Sequence, residues 1–119
     1  MIRIFHDDVR PAPEGWALAR TNAEALALLR SNEVSAISLD YDLGATPEDG
    51  PMAKGSSPDG NGYALVEAML AEGLVPPDVI IHSWNIPGAR RMEAALMTRH
   101  PTCLAMRCPY DPDHLGWYL

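Results

Sequence analysis

Acidic and polar side chains follow three short apolar segments of the chain, at the point where each segment ends. Asp7-Asp8 follows Ile2–Phe5, Asp40-Tyr41-Asp42 follows Ala36–Leu39, and His82-Ser83-Trp84-Asn85 follows Val79–Ile81. If these segments are parallel strands of one sheet, their carboxyl ends meet at the edge where open α/β sheets bind ligands. Carboxylates that lie close together repel one another unless a hard cation such as Mg²⁺ lies between them or some are protonated. The pattern therefore predicts a small acidic site.

We expect Asp7, Asp8, Asp40 and Asp42 to be the metal ligands, with Mg²⁺ or Mn²⁺ as the cation. The alternative is that Asp7 and Asp8 cap a turn, which is common for aspartate at the end of a strand. Along an extended segment Asp40 and Asp42 point to the same face, whereas a turn at Tyr41 leaves only Asp40 pointing inward. We favour Asp40 over Asp42.

Arg10, Ser83 and Arg90 are the candidate phosphate-binding residues. The planar guanidinium of Arg10 suits a phosphate, and it also suits an ion pair with a neighbouring carboxylate; both roles are compatible. The Ser83 hydroxyl is expected to hydrogen-bond a phosphoryl oxygen. Arg90 lies at the start of a predicted helix, where a solvated position is the alternative.

His82, Asp40, Ser83 and Asn85 are the candidate catalytic residues. We expect His82 to act as a general acid or base, with its pKa raised by nearby carboxylates. A structural role is the more common one for a single histidine at a strand end, but the adjacent Ser83 and Asn85 favour the functional role. Asn85 is expected to orient the phosphoryl group or a water molecule.

The composition is that of one soluble globular domain with a modest core. The chain has 119 residues, of which 47% are hydrophobic and 21% charged, and no apolar run is long enough to span a bilayer. The first residues do not resemble a signal peptide, so we expect a cytoplasmic protein without membrane partners. The net charge of -7 argues against bulk binding to nucleic acid.

Strand and helix signals alternate along the chain, which indicates a mostly parallel sheet with right-handed crossovers. The predicted strands are Ile2–Phe5, Trp16–Arg20, Val34–Leu39, Val79–Ile81 and Cys103–Arg107, and the predicted helices run from Thr21 or Asn22 to about Asn32, from Gly62 to about Gly73, and from about Ala89 to Arg99. The segment of about residues 44–60 is predicted to be a long loop or mobile flap. We expect the tail after Pro109 to cap one edge of the sheet, and Cys103 and Cys108 to be reduced and on opposite faces.

These residues resemble the response-regulator receiver domain, a flavodoxin-like fold with a five-stranded sheet of order 2-1-3-4-5. In receivers an acidic pair after the first strand holds Mg²⁺, an aspartate after the third strand accepts a phosphoryl group, and a lysine follows the fifth strand. Asp7, Asp8, Asp40 and Ser83 match the receiver positions.

Two receiver features are missing from the sequence. The last predicted strand is followed by Cys108-Pro109-Tyr110, and the single lysine of the chain is Lys54. The proline-rich loop Val9–Gly15 replaces the first receiver helix. The missing lysine argues against an ordinary phosphorelay through Asp40.

The departures resemble a narrower group, the cyclic-phosphate processing receiver-like family. Its pattern is Asp-Asp-x-Arg-Pro with a following Gly-Trp, then Ser-Leu-Asp-x-Asp-Leu-Gly, then His-Ser-x-Asn-x-x-Gly. The chain carries these motifs at Asp7–Pro11 with Gly15-Trp16, at Ser38–Gly44 and at His82–Gly88, and the resemblance runs from the first strand to about Leu96. Tyr41 departs from the pattern where histidine is common, and the loop before Gly60 is longer than usual.

The resemblance implies a single receiver-like α/β domain and a function in metal-assisted hydrolysis of a cyclic phosphate. The partner is then a phosphate-containing small molecule or an RNA end, such as one carrying a 2′,3′-cyclic phosphate. The alternative is a non-catalytic receiver-like module, such as one encoded by a phage, that binds phosphate or a protein or signals without turnover. The His-Ser-x-Asn set favours the enzyme, because a simple receiver does not need it.

Overall fold

Five strands form one sheet in the computed structural model, which describes residues 1–42, 61–100, 102–111 and 113. The strands are β1 (Ile2–His6), β2 (Ala17–Ala19), β3 (Val34–Leu39), β4 (Asp78–Ile81) and β5 (Leu104–Arg107), and the helices are α1 (Asn22–Ser31), α2 (Gly62–Glu72) and α3 (Ile86–Arg99). The strand order is β2-β1-β3-β4-β5, and every neighbouring pair is parallel. The predicted receiver-like sheet is confirmed.

Side-chain caps define where the helices begin. The Thr21 side chain accepts a hydrogen bond from the Glu24 N–H, and the Asn61 side chain accepts one from the Ala64 N–H. Helix α2 ends at Gly73, whose φ of 67° suits a residue without a side chain. Each cap satisfies a backbone group that the helix itself leaves unpaired.

The predicted start of α3 is wrong by three residues, because the helix begins at Ile86 instead of Ala89. The Asn85 side chain caps it by accepting a hydrogen bond from the Gly88 N–H at 3.0 Å. Pro87 lies in the first turn, where its missing N–H costs nothing since that group has no partner inside a helix. Proline here helps to start the helix.

The two faces of the sheet are covered differently. All three helices pack on one face, where their apolar side chains share one core cluster with Ile4, Ile37 and Val79. The other face carries Phe5, Trp16, Ala36 and Ile80, covered in part by Ala12, Cys108 and Tyr110. Side chains alternate along a strand, so neighbouring residues of β1, β3 and β4 contribute to different faces.

The face opposite the three described helices has an apolar groove of about 330 Å³ near the amino ends of the strands. Arg3 lies over the ring of Trp16 at 4.9 Å on one side of this groove, and Leu104 and Met106 of β5 lie on the other. The chain between β1 and β2 contains no helix. A loop therefore stands in the place of the first receiver helix, as predicted.

Cys103 is buried in the cluster on the helix side, whereas Cys108 packs against the opposite face. Both are free thiols, as expected. The predicted loop of about residues 44–60 lies outside the described residues, as do residues 114–119 of the predicted tail. Within the described part of the chain, no helix is both long enough and apolar enough to cross a membrane.

Candidate functional site

A cavity of about 200 Å³ lies at the carboxyl ends of β1, β3 and β4, where the three polar segments converge. Its lining consists of Asp8, Val9, Arg10, Asp40, Asp42, Ser83, Trp84 and Asn85. Six of these are predicted site residues. Two others, Asp7 and His82, are completely buried and do not line the cavity. Arg90 is exposed on α3 and does not line the cavity either, so its role in phosphate binding stays a prediction.

Asp7 is fixed by four hydrogen bonds. Its Oδ1 accepts from the backbone N–H groups of Val9 and Arg10, both at 2.9 Å. Its Oδ2 accepts from His82 Nε2 at 2.9 Å and from Arg10 Nη1 at 3.1 Å. Burial alone would raise the pKa of Asp7, but these donors outweigh it and hold the pKa well below its usual range. Asp7 is therefore ionised, and it holds Arg10 at the edge of the cavity.

His82 is a buried neutral imidazole. Burial lowers its pKa and outweighs the opposite effect of Asp7, so the expected rise in pKa is not found. Because ionised Asp7 only accepts hydrogen bonds, Nε2 must carry the ring proton, and Nδ1 then accepts from the Ser38 hydroxyl at 2.7 Å. The ring also stacks on Phe5, with centroids 4.5 Å apart and planes 8° apart.

Asp40 has the opposite electrostatic character, although it is only 5% exposed. Its Oδ1 accepts a hydrogen bond from the Tyr41 N–H at 2.8 Å. Burial and the negative charge of Asp7 raise the pKa of Asp40 to about 7, against the smaller opposing effect of that N–H and of Arg10. Asp40 is therefore a carboxylate that can take up a proton near neutral pH.

A second buried histidine supports Asp40 from the helix side of the sheet. His6 Nε2 lies 2.8 Å from Asn22 Oδ1, and Asn22 Nδ2 donates to the Asn61 carbonyl at 2.9 Å. The Asp40 N–H donates to the His6 carbonyl at 3.1 Å. A side chain at Gly62 would collide with the Asp40 carbonyl, so only glycine lets α2 begin this close to β3.

Asp42 and Asn85 form the far side of the cavity. Asn85 Nδ2 donates to both Asp42 oxygens, at 3.2 and 3.3 Å, while its Oδ1 caps α3. The Ser83 hydroxyl oxygen accepts from the Asn85 N–H at 3.1 Å. The ring of Tyr41 packs instead against Gly88 at the start of α3. Both Asp40 and Asp42 thus line the cavity, although they are separated by a residue that faces away from it.

A model of the cyclic-phosphate processing receiver domain family matches residues 2–98 of the chain. The chain belongs to this family. No curated protein and no solved structure matches the chain. The match includes β1 to β4, nearly all of α3, and the segments after β1, β3 and β4 that supply every residue lining the cavity.

This cyclic-phosphate processing receiver domain contains a group of residues that fits a metal ion. Asp7, Asp40 and His82 each have one potential ligand atom within 4.8 Å of the others. Because both ring nitrogens of His82 are already hydrogen-bonded, the carboxylates are the groups of this set that are left to hold an ion. The pKa of Asp40 is raised to about 7, first by burial and then by the negative charge of Asp7. Oxygen ligands from clustered carboxylates suit a hard divalent cation. A cation at this position would bind near Asp40, whereas Asp7 already accepts bonds on both of its oxygens.

Three features of this receiver domain were not assigned from the sequence. Ser38 fixes His82, and the alternation of β3 could have indicated it, since Ser38 and Asp40 face the same way. Val9 and Trp84 line the cavity with apolar surface. For these two, the sequence offers only their positions next to Asp8 and Ser83.

Proposed function

We propose that this domain binds a cyclic phosphate in the cavity at the strand ends and hydrolyses it with the help of Mg²⁺ or Mn²⁺. The observation that carries the proposal is the pairing of opposite charges in one small space. Asp8, Asp40 and Asp42 line the cavity together with Arg10, in a chain that belongs to the cyclic-phosphate processing receiver family. A phosphate group and a divalent cation bound together would complement this lining.

Arg10 is proposed to bind the phosphate. One of its N–H groups is committed to Asp7, which fixes the guanidinium plane, and its side chain remains 28% exposed. The ring of Tyr110 lies 5.0 Å from the guanidinium carbon and supports it from another side. An arginine held in this way loses little conformational freedom on binding, and its fork matches two phosphate oxygens. Ser83 is proposed to contact a further phosphate oxygen.

Asp8 and Asp40 are proposed to hold the cation, with Asp7 contributing its charge from behind and Asp42 lying across the cavity. When bound, the cation supplies charge stabilisation for the phosphate oxygens and a more acidic water. Asp40 takes up either a proton or the cation, because its pKa of about 7 makes both states accessible near neutral pH. Asp42, oriented by Asn85, is proposed to accept the proton of the water that attacks phosphorus. The P–O bond to one ribose oxygen breaks as the new bond forms, and the released oxygen takes up a proton from solvent.

We reassign His82 from proton transfer to positioning. Both ring nitrogens are bonded inside the protein and the side chain has no exposure. His82 therefore supports Asp7, which in turn holds Arg10.

The proposal is tested by incubating the domain with adenosine 2′,3′-cyclic phosphate and MgCl₂ or MnCl₂, and following the ring opening by ³¹P NMR. We expect a monophosphate product, and about a 100-fold slower reaction for Arg10→Gln, since single donors to a reacting phosphate or oxyanion contribute on that scale. Arg99→Gln, which changes an exposed arginine paired with Glu67, is the matched control and should react at the wild-type rate.

Binding without turnover is the second candidate, and the burial of His82 is the observation that favours it, because no histidine of the described residues lines the cavity. In that case the cyclic phosphate shifts its ³¹P resonance on binding but stays intact over long incubation. Absence of both a shift and a product with either metal would reject both functions.

A further inference from the structure

We infer that Trp84 is a stacking platform for the base of a nucleoside 2′,3′-cyclic phosphate, which makes it a specificity-determining residue. The inference rests on the proposed function and names the substrate class. Trp84 lines the cavity and is 60% exposed. A tryptophan exposed to this extent beside a polar cavity has apolar surface that the described residues leave uncovered.

The exposed indole is held in one place. Its Nε1–H donates to the Tyr110 carbonyl at 2.9 Å, and the Tyr110 N–H donates to the His82 carbonyl at 2.9 Å. The side chain is therefore connected to β4 by two hydrogen bonds and its single donor is used. What it offers to a ligand is the carbon surface of the ring, which suits stacking on a planar group.

The size of the cavity explains why the base would reach this ring. Sites that enclose a drug-sized ligand have volumes of roughly 300–1,000 Å³, whereas this cavity has about 200 Å³. A cyclic phosphate and part of its ribose fill that space, so the base must lie at the rim. Val9, which is 71% exposed, also lines the cavity, so the rim carries a second apolar side chain.

Charge cannot provide the affinity for the nucleoside part. The chain has a net charge of -7, and Arg10 is the single basic residue among the described residues that line the cavity. Stacking of a base on an aromatic side chain does not depend on a basic surface and is sequence-tolerant. By this argument the phosphate is bound through charge and the base through Trp84.

The test compares adenosine 2′,3′-cyclic phosphate with glycerol 1,2-cyclic phosphate, which has the same five-membered ring but no base. Half-saturating concentrations are measured in MgCl₂, as Kd where no turnover occurs and as KM where it does. We expect the nucleotide to bind roughly 5- to 150-fold more tightly, the range that one stacked base contributes. Trp84→Ala should remove most of this difference without changing the glycerol ligand, and Trp84→Phe should retain it.

Met97→Ala is the matched control, because Met97 is 57% exposed on α3 but does not line the cavity. It should leave both ligands unchanged. If wild type binds both ligands equally, or if Trp84→Ala weakens both alike, the inference is overturned while the proposed function stands. If neither ligand binds, the proposed function fails and the inference fails with it.

A short RNA that ends in a 2′,3′-cyclic phosphate distinguishes the two sources of this ligand. Equal affinity for the RNA and the mononucleotide, both lowered by Trp84→Ala, supports stacking of the terminal base alone. If the RNA binds more tightly than the mononucleotide and Trp84→Ala does not weaken this binding, another surface recognises the nucleic acid. That result would contradict the stacking role of Trp84.

Discussion

Asp7 and Asp40 follow neighbouring strands and are almost equally buried, with exposures of 0% and 5%, yet their pKa values move in opposite directions. Asp7 accepts four hydrogen bonds, from Val9, Arg10 and His82. Among the described residues Asp40 accepts one, from the Tyr41 N–H. Burial alone therefore does not set the protonation state of a carboxylate; the hydrogen-bond donors and the charges around it decide that state.

The two carboxylates therefore have different uses. Asp7 belongs to a saturated layer in which Ser38, His82 and Arg10 hold one another in place. Asp40 belongs to an unsaturated layer that faces the cavity and keeps the capacity to bind a proton or a cation. Loss of Asp7 should damage the structure, whereas loss of Asp40 should damage binding.

The largest expected effect is that of Asp7→Asn. In Asp7→Asn an amide N–H₂ replaces a carboxylate oxygen that accepts hydrogen bonds. We expect a loss of about 3–5 kcal/mol in the free energy of unfolding, because several donors lose their acceptor and each buried unsatisfied donor costs about 1–3 kcal/mol. Urea unfolding at pH 7 measures it. Arg30→Gln, which removes an exposed ion pair with Glu72, is the control and should leave the free energy of unfolding nearly unchanged. Equal stability of the two variants would remove the distinction between the layers.

Asp40 should make the stability fall as the pH rises from about 4 to about 7, measured in EDTA. The folded protein keeps a proton on Asp40 up to a pKa of about 7, whereas the unfolded chain loses it near 3.8. The stabilisation is therefore fully present below about pH 4 and is lost as the pH rises through 7. Relative to Asp40→Asn, the wild type should lose about 2–4 kcal/mol over this range.

Asp7 has the opposite sign and a different window. Its lowered pKa stabilises the protein above about pH 3.8, and this contribution is lost as the pH falls below that value. The curve of unfolding free energy against pH for Asp40→Asn is subtracted from that of the wild type. The difference retains the contribution of Asp40 and of its interactions with Asp7, Asp8 and Arg10. A difference curve that is flat between pH 4 and 7.5 would contradict the raised pKa of Asp40.

The smallest expected effect is that of Ser38→Ala, which leaves Nδ1 of buried His82 without its hydroxyl partner. We expect a loss of about 1–2 kcal/mol in unfolding free energy. Ser35→Ala lies on the same strand, where its hydroxyl makes a longer contact of 3.4 Å with the Ile2 carbonyl, and should cost less. Equal stability of the two serine variants would contradict the prediction that the hydrogen bond from Ser38 to His82 stabilises the buried residues around Asp7.

Much of the fold could be predicted from the sequence because the strands are short apolar runs that end in turn signals. The convergence of Asp8, Asp40 and Ser83 followed from parallel strands, since their carboxyl ends must share one edge. The start of α3 differs from the predicted Ala89 because proline and glycine disfavour most helix positions, although proline is favoured in a first turn, where Pro87 lies.

The division of the site into two layers could not be predicted. The sequence shows that His82 follows β4, but its hydrogen bond to Asp7 and its ring contact with Tyr110 involve residues from distant parts of the chain. The pairing of Asn85 with Asp42 joins residues 43 positions apart. None of these contacts leaves a local signal in residue type or spacing.

The most direct test of a cation at Asp40 is a calorimetric titration of MnCl₂ into the wild type and into Asp40→Asn, at pH 7 in two buffers of different ionisation enthalpy. Glu67→Gln, an exposed acidic residue of α2, is the control for loss of charge. We predict that the wild type and the control bind Mn²⁺ and release about half a proton per ion, because Asp40 has a pKa of about 7. Asp40→Asn should bind at least about tenfold more weakly and release no proton. Equal affinity and equal proton release in all three proteins would contradict the account.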